Sequence, residues 1–184
     1  FVYAAMNAFY QTAITFVGQN YGAGKCKRVD RIAVQCVSFS VISGLVFGNL
    51  AYFFGETLAG FYVPAGEHEV IAQALIRLSF IACPYFICGI MDTLVGVLRG
   101  IGYSVVPMVV SLVGACGLRL VWVAVIFPVY HTASCLYISY PISWLVTGAV
   151  HLIFFLCVRK RAYAKVEGSD LTALEGRHPP LSQE

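Results

Sequence analysis

The chain has 184 residues, of which 59% are hydrophobic and 11% charged, with a formal net charge of +3 and a mean hydropathy of +0.79. This composition excludes a soluble domain, because long apolar helices would have to be buried on every side with no polar helix around them. A transmembrane β-barrel is excluded too, since no segment alternates with period two. The fold class that remains is an all-α, polytopic transmembrane helical bundle.

Five apolar runs follow one another from the first residue to about residue 158. At 1.5 Å per residue each run reaches about 28 Å or more, close to the roughly 30 Å of a hydrocarbon core. Pro84 and Pro107 lie inside the third and fourth runs and are expected to break or bend those helices. We expect five spanning helices near residues 2–20, 32–54, 71–98, 103–127 and 135–158.

Glycines four residues apart recur within these runs. Gly44 pairs with Gly48 in the second run, and Gly96 pairs with Gly100 in the third. Small residues at this spacing let membrane helices approach closely, so we expect them at helix–helix contacts.

Basic residues are confined to alternate connections. The first connection, the third and the tail carry all the lysines and arginines that lie outside the runs, and the second and fourth carry none. Because basic residues mark the cytoplasmic side, we expect a multi-pass protein of the plasma membrane with a cytoplasmic tail. Arg77 and Arg119 lie inside runs and are expected to reach the interface as anchors.

The two ends of the chain differ in character. The first residue already lies inside an apolar run, without an initiator Met, a basic segment or a cleavage site. We therefore expect the C-terminal portion of a longer protein, with a transmembrane lobe over residues 1–161. The polar residues 162–184 are predicted to be a cytoplasmic tail without fixed structure.

Two runs carry a polar stripe at intervals of four residues, which places each stripe on one helical face. Hydrogen bonding between packed helices and the lining of a solvated cavity are both compatible with this spacing. The first run has Asn7, Gln11, Thr15 and Gln19, and the last has Ser139, Ser143, Thr147 and His151.

Asp92 is the one carboxylate well inside a run. A carboxylate in lipid is costly, so by default it suggests function: it could exchange a proton or bind a sodium ion. The alternative is a structural pair with Arg99, nearly two turns further along the helix, or with another basic group near that surface.

The sequence predicts no enzyme. GxSxG, HExxH and GxxxxGK[ST] motifs are absent, the four histidines are scattered, and the seven cysteines form no CxxC motif. We therefore expect no catalytic residue, no metal site, no cofactor and no nucleic-acid partner.

Two long motifs resemble those of MATE (multidrug and toxic compound extrusion) transporters, most closely the DinF-like bacterial branch. They are FVGQNYGAGKCKRVDR at residues 16–31 and GIMDTLVGVLRGIGYSVVPMVVSLVGACGLRLVW at residues 89–122. The resemblance implies a fold of twelve helices in two lobes, of which this chain would supply helices eight to twelve. The N-terminal lobe of the same protein would then be its partner.

The resemblance also implies a function: a secondary antiporter that exports cationic or amphipathic drugs and toxins in exchange for sodium ions or protons by alternating access. Its partners would be a small cationic solute and the lipid bilayer. The site residues carried over are Asn7, Gln11 and Asp92; some members have an aspartate where this chain has Cys88. The alternatives are a lipid-carrier flippase of similar shape, with few cations available for phosphate, and a non-transporting membrane module.

Overall fold

The computed structural model describes residues 2–64 and 68–175, with side chains over 2–64 and 69–166. Helices account for nearly all of these residues, and the described part contains no strand. The helices are α1 (Val2–Gly22), α2 (Cys26–Phe53), α3 (Gly55–Gly60), α4 (His68–Ile81), α5 (Tyr85–Gly100), α6 (Val105–Ser111), the π-helix π1 (Leu112–Gly117), α7 (Leu118–Val125), α8 (Phe127–Tyr130) and α9 (Ala133–Glu175).

Each predicted run is helical, which confirms the all-α class. Within the described residues, three segments are long and apolar enough to cross a membrane, and a fourth is added if the bent pair α4 and α5 counts as one span. The three are Cys26–Phe53, Val105–Tyr130 and Ala133–Val166. Helix α1 is not among them, because its polar stripe lowers its hydropathy, so the predicted count of five spans is not confirmed.

Pro84 bends the chain as expected. Helices α4 and α5 meet at 48° across a short break that ends at this residue, because Pro lacks the N–H that would continue the ladder. Pro107 does not have the predicted effect. It lies in the first turn of α6, where a missing N–H breaks no intrahelical bond, and it is buried there.

Helix α9 continues to Glu175, well beyond residue 158 where the last span is predicted to end. The prediction of a tail without fixed structure therefore differs from the structure over residues 162–175. Alanine, leucine and glutamate recur in this stretch, and these residues favour a helix. The rest of the predicted tail lies outside the described residues.

The core lies where α1, α2, α5 and α9 pack together. Glycines make these contacts close, as predicted: a Cβ at Gly44 would lie 2.7 Å from the Cα of Phe86, and one at Gly96 would lie 2.6 Å from the carbonyl oxygen of Tyr10. The backbones of α2 and α1 thus pack directly against α5. This close packing fixes the position of the α5 side chains along the helix axis relative to those of α1 and α2.

The basic end of the bundle is tied together by polar contacts. Arg159 on α9 pairs with Asp30 on α2 at 3.3 Å, and the Tyr163 hydroxyl donates to the same carboxylate at 2.9 Å. The Tyr21 hydroxyl donates to the carbonyl of Ala162 at 3.2 Å. These bonds hold the extension of α9 against α1 and α2.

Candidate functional site

Asp92 lies on the inner part of α5 and is half-buried. Its one hydrogen bond among the described side chains comes from the thiol of Cys88, one turn earlier, with an S–O distance of 3.9 Å. No described cation forms an ion pair with Asp92. The one salt bridge among the described residues joins Asp30 and Arg159. A thiol is a weak donor, so Asp92 keeps unused acceptor capacity inside the lobe.

The alternative pairing of Asp92 with Arg99 is not formed. The two residues are about 10 Å apart along the helix axis at 1.5 Å per residue. Arg99 instead donates to the hydroxyl of Tyr10 on α1, and its guanidinium lies 5.7 Å from the centre of that ring. The alternative in which Asp92 has a purely structural role therefore lacks the pair with Arg99.

The polar stripe of α1 lies on an open face. Gln11, Thr15 and Gln19 are exposed and Asn7 is half-buried, whereas the residues that α1 buries, among them Met6, are on another face. The Asn7 and Gln11 side chains form no hydrogen bond to any described residue, Asp92 included. The structure therefore places these two predicted site residues on the same side of α1 without joining them to the carboxylate.

The polar stripe of α9 lies inside the lobe. Ser139, Ser143, Thr147 and His151 are at most 1% exposed. Their hydroxyls bond mainly to carbonyls of α9 itself, as in the 2.7 Å bond from Thr147 to Ser143. Two bonds cross to neighbouring helices. Packing, rather than the lining of a solvated cavity, therefore explains the α9 stripe.

Arg119 is one of those crossing partners. Its side chain is held against α9, whereas the sequence predicts an anchor that extends to the interface. Its Nε donates to Ser143 Oγ at 2.9 Å, and its guanidinium lies 4.2 Å from the ring centre of Tyr140 and 5.7 Å from that of Trp144. The interior of the lobe thus offers aromatic faces and a hydroxyl to this cation.

His151 provides the second crossing bond, to Ser111 at 3.1 Å between Nε2 and Oγ. Its Nδ1 is buried and has no hydrogen-bond partner among the described residues. Ser111 immediately precedes π1, where Gly114 lies directly against Thr147. Such π-helical insertions often accompany functional sites. Neither π1 nor this contact has a local sequence signal beyond the small residues Gly114 and Gly117.

An outer cavity of about 630 Å³ opens at the end of the lobe opposite the basic connections. Tyr3, Gln73, Arg77 and Tyr137 line it, together with Tyr85 at the start of α5. The ring of Tyr85 also packs edge-on against Trp144 at 5.4 Å. Tyr85 thus connects the cavity wall with the helix that carries Asp92.

The MatE family model matches residues 1–125, about two thirds of the chain. The chain belongs to the MATE family of membrane transporters. Its structure is similar to that of the Vibrio cholerae MATE transporter VcmN in the bent form, with a TM-score of 0.68 and 17% sequence identity. That match covers 90% of this chain and 39% of the transporter's chain. No curated protein matches the chain.

The match spans 39% of the transporter's chain. In the described part of this chain, the α1 stripe is largely exposed and the α9 stripe is enclosed by the chain itself. Among the described residues, no group of three or more metal-binding side chains comes together.

Proposed function

We propose that this chain is the C-terminal part of a MATE antiporter in the plasma membrane, with a cytoplasmic tail, and that Asp92 is its ion-exchanging group. The transporter would export cationic or amphipathic solutes in exchange for protons or sodium ions by alternating access. Family membership supports transport; the coupling role rests on the surroundings of Asp92.

The observation that carries the proposal is the free acceptor capacity of Asp92. A carboxylate couples transport only if its occupancy differs between two conformations, because equal binding in both shifts no equilibrium. Asp92 has a thiol as its one described hydrogen-bond partner, so a proton or sodium ion can bind without breaking an ion pair. Asp92 lies one turn beyond Cys88 and two turns beyond Tyr85, which lines the outer cavity. Asp92 is therefore deeper in the lobe than the cavity.

Asn7 and Gln11 would contribute to solute binding from the open face of α1. The amides of half-buried Asn7 and exposed Gln11 can donate to and accept from a polar solute, and they carry no charge that would repel a cation. We propose that the N-terminal lobe faces this surface and that the solute passes between the two.

A lipid-carrier flippase is less well supported. Such a protein needs cations in its cavity to receive a phosphate, and the two intramembrane candidates are Arg77 and Arg119. Arg119 is already engaged by Ser143 and Tyr140, which leaves Arg77 as the cation that lines the outer cavity.

The test is Asp92→Asn in the whole transporter, reconstituted in proteoliposomes. The amide keeps the shape of the side chain and loses its charge and titration, so we expect efflux driven by a pH or sodium gradient to be abolished. Efflux of a fluorescent cationic dye against each gradient measures this directly.

Asp30→Asn is the matched control, because it makes the same chemical change at a carboxylate that is ion-paired at the basic end. Its gradient dependence should equal that of the wild type. Unchanged dependence on pH and sodium in Asp92→Asn would refute the assigned role, while leaving the family membership untouched.

A further inference from the structure

A second cavity lies at the basic end of the bundle, far from the candidate transport site. It measures about 760 Å³ and is lined by the end of α1, the connection from α5 to α6, and the extension of α9. The residues that matter for its chemistry are Tyr21, Gly102, Tyr103, Arg161 and Lys165.

The charge of this cavity is positive. Arg161 and Lys165 are one helical turn apart on α9, both are exposed, and neither has a hydrogen bond or an ion pair among the described residues. Among the residues whose side chains the structure describes, no carboxylate lines the cavity. Asp30, which contacts α9 nearby, is already held by Arg159 and Tyr163. Within that part of the chain, two cations therefore face the cavity without an anion.

Polar groups and open space complete the cavity. The Tyr103 ring is fixed edge-on against Phe154 at 5.6 Å, and its hydroxyl forms no hydrogen bond among the described residues. Gly102 adopts a positive φ of 93°, and a Cβ there would meet no atom within 4 Å. The backbone at this point thus leaves room above the connection for a bulky group.

An apolar stripe begins two residues beyond Tyr103. Val105, Val109 and Leu112 follow at helical spacing and are 68%, 47% and 61% exposed. Their spacing of four and three places them on one face of the helix. A molecule with a polar head in the cavity could therefore lay an apolar chain along this face.

We propose that the basic cavity binds the headgroup of an anionic phospholipid, with an acyl chain along the Val105–Leu112 stripe. Arg161 and Lys165 neutralise the phosphate, and the Tyr103 hydroxyl donates to it. Basic pockets between spanning helices on the cytoplasmic side are suited to such headgroups. The apolar stripe favours a lipid over a soluble phosphate, because a free phosphate would make no use of it.

The experiment is a lipid titration of the whole detergent-solubilised protein, followed by native mass spectrometry. The probes are dioleoyl phosphatidylglycerol and dioleoyl phosphatidylcholine, which share their acyl chains and differ in net charge. We expect the wild type to bind phosphatidylglycerol more tightly. The double variant Arg161→Gln/Lys165→Gln should lose roughly 30-fold in that affinity, as two surface cations contribute.

The matched control is Lys27→Gln/Arg28→Gln, which removes two exposed cations from the first turn of α2 at the same end. It should change the affinity by less than about threefold, as expected for exposed charges that contact no ligand. Equal losses in the two double variants would mean a diffuse basic surface and would overturn the site. If the pocket variant does not fold, Lys165→Gln alone should lose roughly fivefold.

A third arm separates the lipid from free phosphate. Inorganic phosphate is added to the protein–phosphatidylglycerol complex and compared with chloride at the same ionic strength. We expect the two salts to act alike. Displacement by phosphate alone would assign the pocket to a soluble phosphate and refute the lipid.

Discussion

The close contact of α1 with α5 predicts the effect of enlarging Gly96. In Gly96→Ala the new methyl group would lie 2.6 Å from the Tyr10 carbonyl oxygen and 3.2 Å from Ala13 Cβ. A backbone oxygen cannot rotate away, so α1 must shift as a whole. Overpacking of this kind costs about 1–3 kcal/mol, while the change from Gly to Ala within a helix returns up to about 1 kcal/mol.

The matched control is Gly148→Ala on α9. Gly148 is also buried inside a helix, but a Cβ there would meet its nearest neighbour, Met91 Cβ, at 3.6 Å, an ordinary contact. Gly148→Ala should therefore be neutral or slightly stabilising, and the two variants should differ by about 1–3 kcal/mol. Reversible unfolding in mixed micelles of SDS and a mild detergent gives both free energies. Equal stability of the two variants would refute the packing argument.

Two further predictions concern orientation and the interior cation. In intact cells, a membrane-impermeant maleimide should label Tyr62→Cys, since Tyr62 is 86% exposed in the second connection, which has no basic residue. It should not label Lys27→Cys. The reverse pattern would invert the topology. Arg119→Met should lower the free energy of unfolding by about 1–3 kcal/mol through loss of its cation–π contacts and its bond to Ser143. The control Arg77→Met, at an exposed position, should change it by less than about 0.5 kcal/mol, and equal effects would contradict the aromatic environment assigned to Arg119.

The helices could be predicted because a long apolar segment without a strand-like alternation can satisfy its backbone hydrogen bonds in lipid only as a helix. Breaks in a helix could be predicted only where a particular residue, such as proline, prevents the helix from continuing. Pro84 bends its span because it lacks an N–H, whereas Pro107 is harmless because α6 begins two residues before it. The π-helix π1 interrupts its span without any proline. Within π1, Gly114 packs against Thr147 on another helix, and a local sequence pattern does not report such contacts.

The two polar stripes show why the candidate site was only partly predictable. Both repeat every four residues, and this spacing says that the members share a face. It does not say what covers that face. The α9 stripe, from Ser139 to His151, is enclosed by neighbouring helices, while Gln11 and its neighbours on α1 remain exposed. Burial depends on contacts between distant segments, so identical spacing has opposite outcomes.

The charged residues inside the lobe also differ in their surroundings, and this difference affects whether they can couple ion binding to transport. Arg119 and Arg99 each have aromatic and hydroxyl partners, which stabilise one permanent charge state. Breaking a buried ion pair costs about 3–5 kcal/mol. A coupling carboxylate that is paired with a cation would have to break that pair in every transport cycle. Asp92 has a thiol instead. A conformational change that alters its exposure can therefore shift the occupancy of this carboxylate without first removing a cation, which is the property that an exchanging site requires.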